Sequence, residues 1–260
     1  WRVILKTQFQ KMKKRFEPIK ALEFKLPEVL TAFDPLSINK VTGASVNFPV
    51  SETCQPSKVC ANTCYALRGP ITWSASLKKQ QLNLLTCQDR TLEFAEAIIE
   101  RCRKKMLKDK QFFLRWNGVG DLFEEAVDAL LLINKALPDL PIWVVTRKPQ
   151  QVVRLANLHN IWVHFSLDRS SMARRKDVLD LFELRPKNLF FSYQADKNEV
   201  LKVMPADISV LFFDSYKIKG NEQFIDHPAL CPLNAQEDIS SACRICRRCF
   251  NGAAQDIRYE

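Results

Sequence analysis

The sequence predicts an α/β protein built around a largely parallel β-sheet. Of its 260 residues, 47% are hydrophobic, which is enough apolar material for a full core. Several segments are near-continuous runs of Val, Ile, Phe and Trp, a composition typical of strands that are buried on both faces of a parallel sheet. Helical segments alternate with these runs. Such alternation gives either a doubly wound sheet or a (β/α) barrel.

The predicted elements follow one another in a regular order. Residues 41–50 alternate enough to form a strand, and residues 74–107 form a long helical stretch with apolar positions such as Leu82, Leu85 and Ile98. From there, strands and helices alternate. The predicted strands are 111–121, 141–149, 161–168, 188–196 and 208–214, and the predicted helices are 124–137, 150–158 and 173–182.

Polar side chains recur where the predicted strands end. They are Arg115, Asn117, Asp121, Thr146, Arg147, Lys148, Ser166, Asp168, Ser192, Gln194, Asp196 and Asp214. In parallel α/β folds the carboxyl ends of the strands meet at one edge of the sheet, where ligands bind. Each of these residues taken singly is better explained as a helix cap or a solvated loop residue. Because five strands end in this way, we predict a ligand site at that edge.

The first cysteine group consists of Cys54, Cys60 and Cys64, in a loop that follows the first predicted strand. Thiolates this near in sequence can share one iron–sulfur cluster. Three ligands leave one iron of a four-iron cluster without a protein ligand, and that iron can bind the amine and carboxylate of a small molecule. A zinc ion that keeps one position open for water is the competing interpretation. A metal centre with an open position is typical of a catalytic site rather than a structural one.

Four more cysteines form the second cysteine group: Cys231, Cys243, Cys246 and Cys249. Its Cys-x2-Cys-x2-Cys run is spaced like ferredoxin ligands, with the remaining cysteine arriving from a distance. Structural zinc more often uses two separated Cys-x2-Cys pairs, so we predict an auxiliary four-iron cluster, with zinc as the alternative. Three arginines interleave with these cysteines: Arg244, Arg247 and Arg248. They would offset the negative charge of a cluster or contact phosphate, unless they are merely solvated.

The balance of charge and cysteines limits the partners and the compartment. The chain carries 39 Lys and Arg against 29 Asp and Glu, a net charge of +10, and such a surface attracts polyanions, although a basic protein without such a partner is nearly as consistent with it. Much of the basic charge near the start falls in an N-terminal arm, residues 1–40. No apolar run approaches the ~20 residues of a membrane helix. Nine cysteines without a visible secretory signal favour the reducing cytoplasm, where thiols stay free for metal.

A set of motifs resembles a known family. The three-cysteine loop ends Cys64-Tyr65-Ala66, and it is followed by Arg115-Trp116 leading to Gly120-Asp121, by Thr146-Arg147, and by Cys231-Pro232 ahead of the clustered cysteines. The loop is similar to that of the radical S-adenosylmethionine superfamily, although its spacing, Cys-x5-Cys-x3-Cys, is looser than the common pattern. The whole layout, over roughly residues 40–250, resembles the phage family known as gene product 88.

The resemblance implies a partial (β/α) barrel over residues 41–220, with a C-terminal auxiliary-cluster segment over residues 221–260. The first cysteine group would hold a catalytic [4Fe-4S] cluster beside S-adenosylmethionine. The residues implied to bind that cofactor are Tyr65, Asn117, Gly118, Gly120, Asp121, Arg147, Ser166 and Asp168. The glycines would let the backbone approach the methionine amino group, and Asp121 would accept from its ammonium. Arg147 would pair with the methionine carboxylate or a substrate anion, while Ser166 and Asp168 would face the ribose hydroxyls.

These expectations lead to a radical S-adenosylmethionine-type enzyme with two [4Fe-4S] clusters. It would generate a deoxyadenosyl radical to modify an unidentified substrate, with nucleic acid as one candidate. It would need a reductant such as a flavodoxin or a ferredoxin. The alternative is a non-catalytic iron–sulfur or zinc protein that binds nucleic acid on the same scaffold, through Arg244, Arg247 and Arg248.

Overall fold

The structure is a computed structural model that describes residues 33–40, 42–195, 199–202, 208–213, 224, 229–231, 242–247 and 249–250. Most of the predicted N-terminal arm lies outside these ranges. So do Asp196, Asp214, Pro232 and Arg248 among the residues singled out from the sequence.

One sheet of seven strands runs through the described part of the chain. Its strands are β1 (Leu36–Asn39), β2 (Gly43–Val46), β3 (Leu114–Trp116), β4 (Ile142–Thr146), β5 (Ile161–Leu167), β6 (Leu189–Ala195) and β7 (Ile208–Phe213). The β1 and β2 pair is antiparallel, and each later pair is parallel. The strands lie in the sheet in chain order. A doubly wound sheet reverses its order at a switch point, so that predicted alternative is wrong. Among the named strands β1 and β7 are the outermost, and Leu211 of β7 is bridged in parallel to Leu230. A closed barrel is not observed in the described part of the chain.

The helices lie between the strands along the chain, except for the last one, which follows β7. They are α1 (Val50–Thr53), α2 (Lys58–Thr63), α3 (Ser74–Asp89), α4 (Thr91–Lys108), α5 (Glu124–Ala136), α6 (Pro149–Leu155), α7 (Arg174–Leu179) and α8 (Ala242–Cys246). Short 3-10 turns at Tyr65–Leu67 and Gly69–Thr72 complete the cysteine loop. Across the described ranges, no helix combines the length and the apolar character needed to cross a membrane.

The predicted alternation of strands and helices is confirmed, with several local differences. The predicted strand 111–121 is only three residues long, Leu114–Trp116. The stretch 74–107 is two helices rather than one, because the backbone of Arg90 leaves the helical region at φ −140° and ψ 56°. Strand β1 falls within the predicted basic arm and was not predicted. It pairs through Leu36 with Val46 at the antiparallel edge of the sheet.

The two faces of the sheet have different surroundings. Alternate strand residues, for example Trp116, Val144 and Phe165, share one buried core with the residues of helices α3 to α7. This agrees with the right-handed connections of parallel strands, which place helices on a single face when strand order is sequential. Successive side chains on a strand point to opposite faces. The intervening residues therefore line the other side, called here the inner face: Arg115, Trp143, Trp162, His164 and Phe190.

Candidate functional site

The first cysteine group sits directly on the carboxyl edge of the sheet. Phe48, just after β2, donates its amide to the carbonyl of Val119 at 3.0 Å, and this ties the start of the cysteine loop to the segment after β3. A small apolar cluster of Val50, Ala66, Leu77 and Val119 packs beneath the loop and touches Cys54 and Cys64. The loop is therefore packed against the carboxyl edge of the sheet.

Two glycines after β3 allow this close packing. A Cβ on Gly118 would lie 2.4 Å from Oδ1 of Asn47. Gly120 has φ +90°, and a Cβ there would lie 2.7 Å from the carbonyl oxygen of Phe48 and 2.8 Å from Oγ1 of Thr53. Both contacts are inside what real Cβ atoms show. The resemblance implied glycines that let the backbone approach a ligand, which stays a prediction; the structure shows that both glycines also let the protein's own chain pack closely.

Asp121 joins three elements at the edge. Its Oδ1 accepts from the hydroxyl of Thr146 at 2.6 Å and its Oδ2 accepts from the amide of Arg147 at 3.3 Å. Its own amide donates to Oγ1 of Thr53 at 3.0 Å, one residue before Cys54. Burial raises the pKa of Asp121, although the hydrogen bond from Thr146 acts in the opposite direction. Its oxygens are engaged by protein groups, so Asp121 holds β3, β4 and the cysteine loop together.

A buried ion pair lies on the other side of the loop. Arg147 Nη1 donates to Oδ2 of Asp168 at 2.7 Å, with side chains that are 10% and 0% exposed. Ser57 donates its hydroxyl to the same oxygen, and Ser170 donates its hydroxyl to Oδ1 at 2.6 Å. Burial acts to raise the pKa of Asp168, but the hydrogen bonds from Ser170 and Ser57 and the charge of Arg147 outweigh it and lower that pKa. Arg147 Nη2 is buried without a hydrogen-bond partner among the described groups.

Ser57 carries this network into the cysteine loop. Its side chain caps α2 and accepts from the amide of Cys60 at 3.0 Å. One serine thus connects the end of β5 to a candidate metal ligand. The sequence analysis missed Ser57, although a serine at the start of a helix, three residues before the amide that it accepts from, is a recognisable N-cap pattern.

The three thiols of the first cysteine group share one electrostatic neighbourhood. Burial raises the pKa of Cys54, and the negative charges of Asp121, Cys64 and Cys60 raise it further. Burial also raises the pKa of Cys64 to about 11. For Cys60, burial raises the pKa and the cation of Arg147 offsets part of that rise.

These thiols are not arranged around a single point. In the part of the chain that the structure describes, no three His, Cys, Asp or Glu side chains are placed so that they could hold a metal ion. The thiols of each group therefore lie in one region of the structure, but they do not surround a common point where one metal ion could bind.

Tyr65 and Asn117 lie between the loop and the inner face. The Tyr65 hydroxyl donates to the carbonyl of Gly118 and accepts from Arg115 Nη2 at 3.1 Å. Asn117 has a left-handed backbone with φ 57°, and both polar atoms of its buried side chain have no partner among the described groups. Unsatisfied buried amides and non-glycine residues in this backbone region concentrate at functional sites. Ser166 is half-buried in β5, in register with Ser192 of β6.

The second cysteine group packs against the inner face. Cys243 and Cys246 lie on α8, and the ring of Phe250 stacks on Phe113 with centroids 3.9 Å apart. His164 Nε2 donates to the carbonyl of Cys249 at 3.1 Å. Burial raises the pKa of Cys249, and the charges of the other three cysteines, Cys231 first, raise it further. All four cysteines therefore share one region. Sequence reasoning left His164 aside, and its partner could not be read from a lone histidine in a strand.

The arginines around the second group have protein partners. Arg244 lies 3.2 Å from Oδ1 of Asp109 in an exposed ion pair. Arg247 donates to the carbonyl of Gln111 at 2.8 Å and its guanidinium lies 5.0 Å from the ring centroid of Phe250. Both contacts attach α8 to the turn before β3. Arg248 lies outside the described residues.

The fold and the site define an α/β protein with one sequentially ordered sheet, a cysteine loop at its carboxyl edge and a second cysteine group on its inner face. The family model Gene product 88 matches residues 4–252, which is most of the chain. The chain therefore belongs to the gene product 88 family, and the family predicted from the cysteine pattern is confirmed. Comparison with curated proteins and with solved structures found no match.

Proposed function

We propose that this chain is an iron–sulfur enzyme of the radical S-adenosylmethionine type. The first cysteine group would hold an open [4Fe-4S] cluster, and the second would hold a closed auxiliary one. The observation that carries this proposal is the position of the three-thiol loop, which is built into the carboxyl edge of a sequentially wound parallel sheet. That order, with helices on one face, supports a partial (β/α) barrel whose inner face encloses the reaction space.

The donor set suits a cluster better than a single ion. Thiolates are soft ligands that favour iron–sulfur clusters and zinc. The cysteines of a four-iron cluster bind different irons, so their sulfurs need not converge on one point as they do around zinc. The seven thiols provide the soft donors that a cluster needs, three in the first cysteine group and four in the second.

Several residues at the edge have free capacity for a small polar ligand. The unpartnered Nη2 of Arg147 would bind a carboxylate, and the unpartnered amide of Asn117 would bind an amine or a carboxylate. The oxygens of Asp168 and Asp121 are engaged by protein groups, so we assign these two residues the positioning of Arg147 and of the loop. Ser166, on the inner face, remains a proposed contact for a ribose hydroxyl.

An open cluster with S-adenosylmethionine supplies one-electron cleavage of the sulfonium bond, followed by hydrogen abstraction from a substrate. The chain's own part is to exclude water and to orient the ligand. The apolar cluster beneath Cys54 and Cys64 keeps solvent from that side of the site, and Tyr65 holds the backbone of Gly118 in place. A flavodoxin or ferredoxin in the cytoplasm would supply the electron.

A second candidate function is a non-catalytic iron–sulfur or zinc protein that binds nucleic acid. The net charge of +10 and the exposed side chain of Arg244 favour it. Its binding would weaken steeply as salt concentration rises, because phosphate contacts release counterions. Salt-dependent nucleic-acid binding without any cleavage of S-adenosylmethionine would favour this candidate.

The test is anaerobic purification with iron and sulfide reconstitution, followed by metal analysis and EPR of the reduced protein with and without S-adenosylmethionine. We expect about eight irons per chain and a spectrum that changes when S-adenosylmethionine is added. Cys60→Ala should lose the open cluster, its EPR response and turnover, while keeping about four irons in the second group.

Cys102→Ala is the matched control, since Cys102 is a buried thiol of α4 outside both groups. It should keep both clusters. An iron-free wild-type protein, or a Cys60→Ala variant with an unchanged spectrum, would show that the proposal is wrong.

A further inference from the structure

Arg115 occupies the middle of β3, between the two cysteine groups. On one side its Nη2 donates to the hydroxyl of Tyr65 at 3.1 Å, and its guanidinium carbon lies 5.9 Å from the centre of that ring. Tyr65 is the neighbour of Cys64 in the chain. Arg115 therefore contacts the residue that directly follows a cysteine of the first group.

On its other side Arg115 reaches the second cysteine group. Its guanidinium lies 4.6 Å from the ring centre of Trp143, at a distance typical of a cation–π contact. The rings of Trp143 and Phe250 are 6.5 Å apart, and Phe250 follows Cys249 in the chain. The charge of Arg115 also acts on Cys243 and Cys249, where it offsets part of the effect of burial.

The guanidinium is not neutralised by an ion pair among the described residues. Its contacts are a phenol hydroxyl and two aromatic rings, and its Nε is buried without a partner among the described groups. Nε lies in the buried part of the side chain, whereas the Nη2 contact with Tyr65 is exposed, so water screens part of the charge and the effect of Arg115 depends on its closeness to the two cysteine groups. Each reduction of a cluster adds negative charge, which a neighbouring cation stabilises.

We infer that Arg115 is a shared positioning residue that raises the reduction potentials of both metal centres, and that it acts on the first centre partly by holding Tyr65. This inference rests on the iron–sulfur function proposed above. It makes the two cysteine groups electrostatically coupled parts of one site rather than independent cofactors.

The test is an EPR-monitored redox titration of the reconstituted full chain, comparing Arg115→Met, Arg115→Lys and Tyr65→Phe. At a fixed potential, Arg115→Met should lower the ratio of reduced to oxidised cluster about tenfold at both centres, which corresponds to about 59 mV. Arg115→Lys keeps the charge and should restore most of the loss at the second centre. Tyr65→Phe should shift only the first centre.

Arg154→Met is the matched control, because Arg154 pairs with Asp128 on the helical layer. Neither centre should shift in that variant. The inference is overturned if Arg115→Met leaves both potentials unchanged, or if Arg115→Lys shifts them as much as Arg115→Met, since the effect would then come from packing. If the wild type contains iron but Arg115→Met leaves the reduction potentials unchanged, only the inference about Arg115 is wrong. A wild type without iron removes the proposed function as well.

Discussion

Removal of the Asp168 carboxylate should destabilise the fold strongly. In Asp168→Ala, Arg147 would remain buried with no counter-charge, and Ser57 and Ser170 would lose their acceptor. Breaking one partner of a buried ion pair costs about 3–5 kcal/mol, mostly because an uncompensated charge stays buried. With a urea m-value of about 3 kcal/mol/M, the unfolding midpoint should fall by about 1–1.7 M.

The assay is urea unfolding of the metal-free chain followed by circular dichroism. Asp128→Ala is the matched control: its carboxylate pairs with Arg154 in an exposed ion pair, with side chains 47% and 35% exposed. Such a surface pair is worth about 0–1 kcal/mol. Combining Asp168→Ala with Arg147→Met should recover part of the loss, because the unpaired charge is then gone. If Asp168→Ala lowered the free energy of unfolding no more than Asp128→Ala does, the conclusion that the buried Arg147–Asp168 ion pair stabilises the fold would be refuted.

The same carboxylate gives a pH dependence with a defined sign. Its folded pKa lies below the unfolded value of about 3.9. The stabilisation is therefore complete above that value and is lost as the pH falls through the folded pKa. Below about pH 4, the wild-type stability should fall more steeply with acidification than that of Asp168→Asn, as measured by the urea midpoint at each pH.

Two further substitutions test the packing of the site. Gly120→Ala should lower the free energy of unfolding by about 2–4 kcal/mol, because the new Cβ would meet the Phe48 carbonyl as well as strain the backbone. Gly69→Ala, where φ is +70° and the surrounding space is open, should lower it by only about 1–2 kcal/mol in the same urea assay. Phe250→Ala should cost about 3–5 kcal/mol of packing against Phe113 and should lower the iron content of the reconstituted chain toward four, as determined by metal analysis. Equal costs for the two glycine variants, or full iron in Phe250→Ala, would contradict these assignments.

The parallel strands and the polar edge could be predicted from the sequence because they depend on local patterns. Runs of Val, Ile and Phe mark buried strands, and polar residues such as Thr146 and Asp168 follow directly where those runs end. Strand β1 could not be found in this way. It is four residues long, and half of it is exposed, so it carries no apolar run. The break at Arg90 was missed because its neighbours continue the helical pattern on both sides.

The roles of individual site residues were harder to predict. The resemblance implied that Gly118 and Gly120 admit a ligand, and that stays a prediction; the structure adds that both pack closely against β2 and the loop after it, since glycine permits close approach to any group. The resemblance implied that Asp168 faces a ribose hydroxyl, and that stays a prediction; in the structure its oxygens accept from Arg147, Ser57 and Ser170. Composition marks a polar strand end but does not say which partner will meet it.

The sequence by itself determined the two cysteine groups, the family and the alternation of strands and helices, because residue type and spacing are properties of the chain alone. Only the tertiary structure decided that the first group lies at the carboxyl edge and the second against the inner face, with Arg115 in contact with Tyr65 on one side and Trp143 on the other. Tyr65 and Gly118 are 53 residues apart, and His164 and Cys249 are 85 apart. Such contacts arise from the order and register of the strands, which bring distant segments together and which no local pattern encodes.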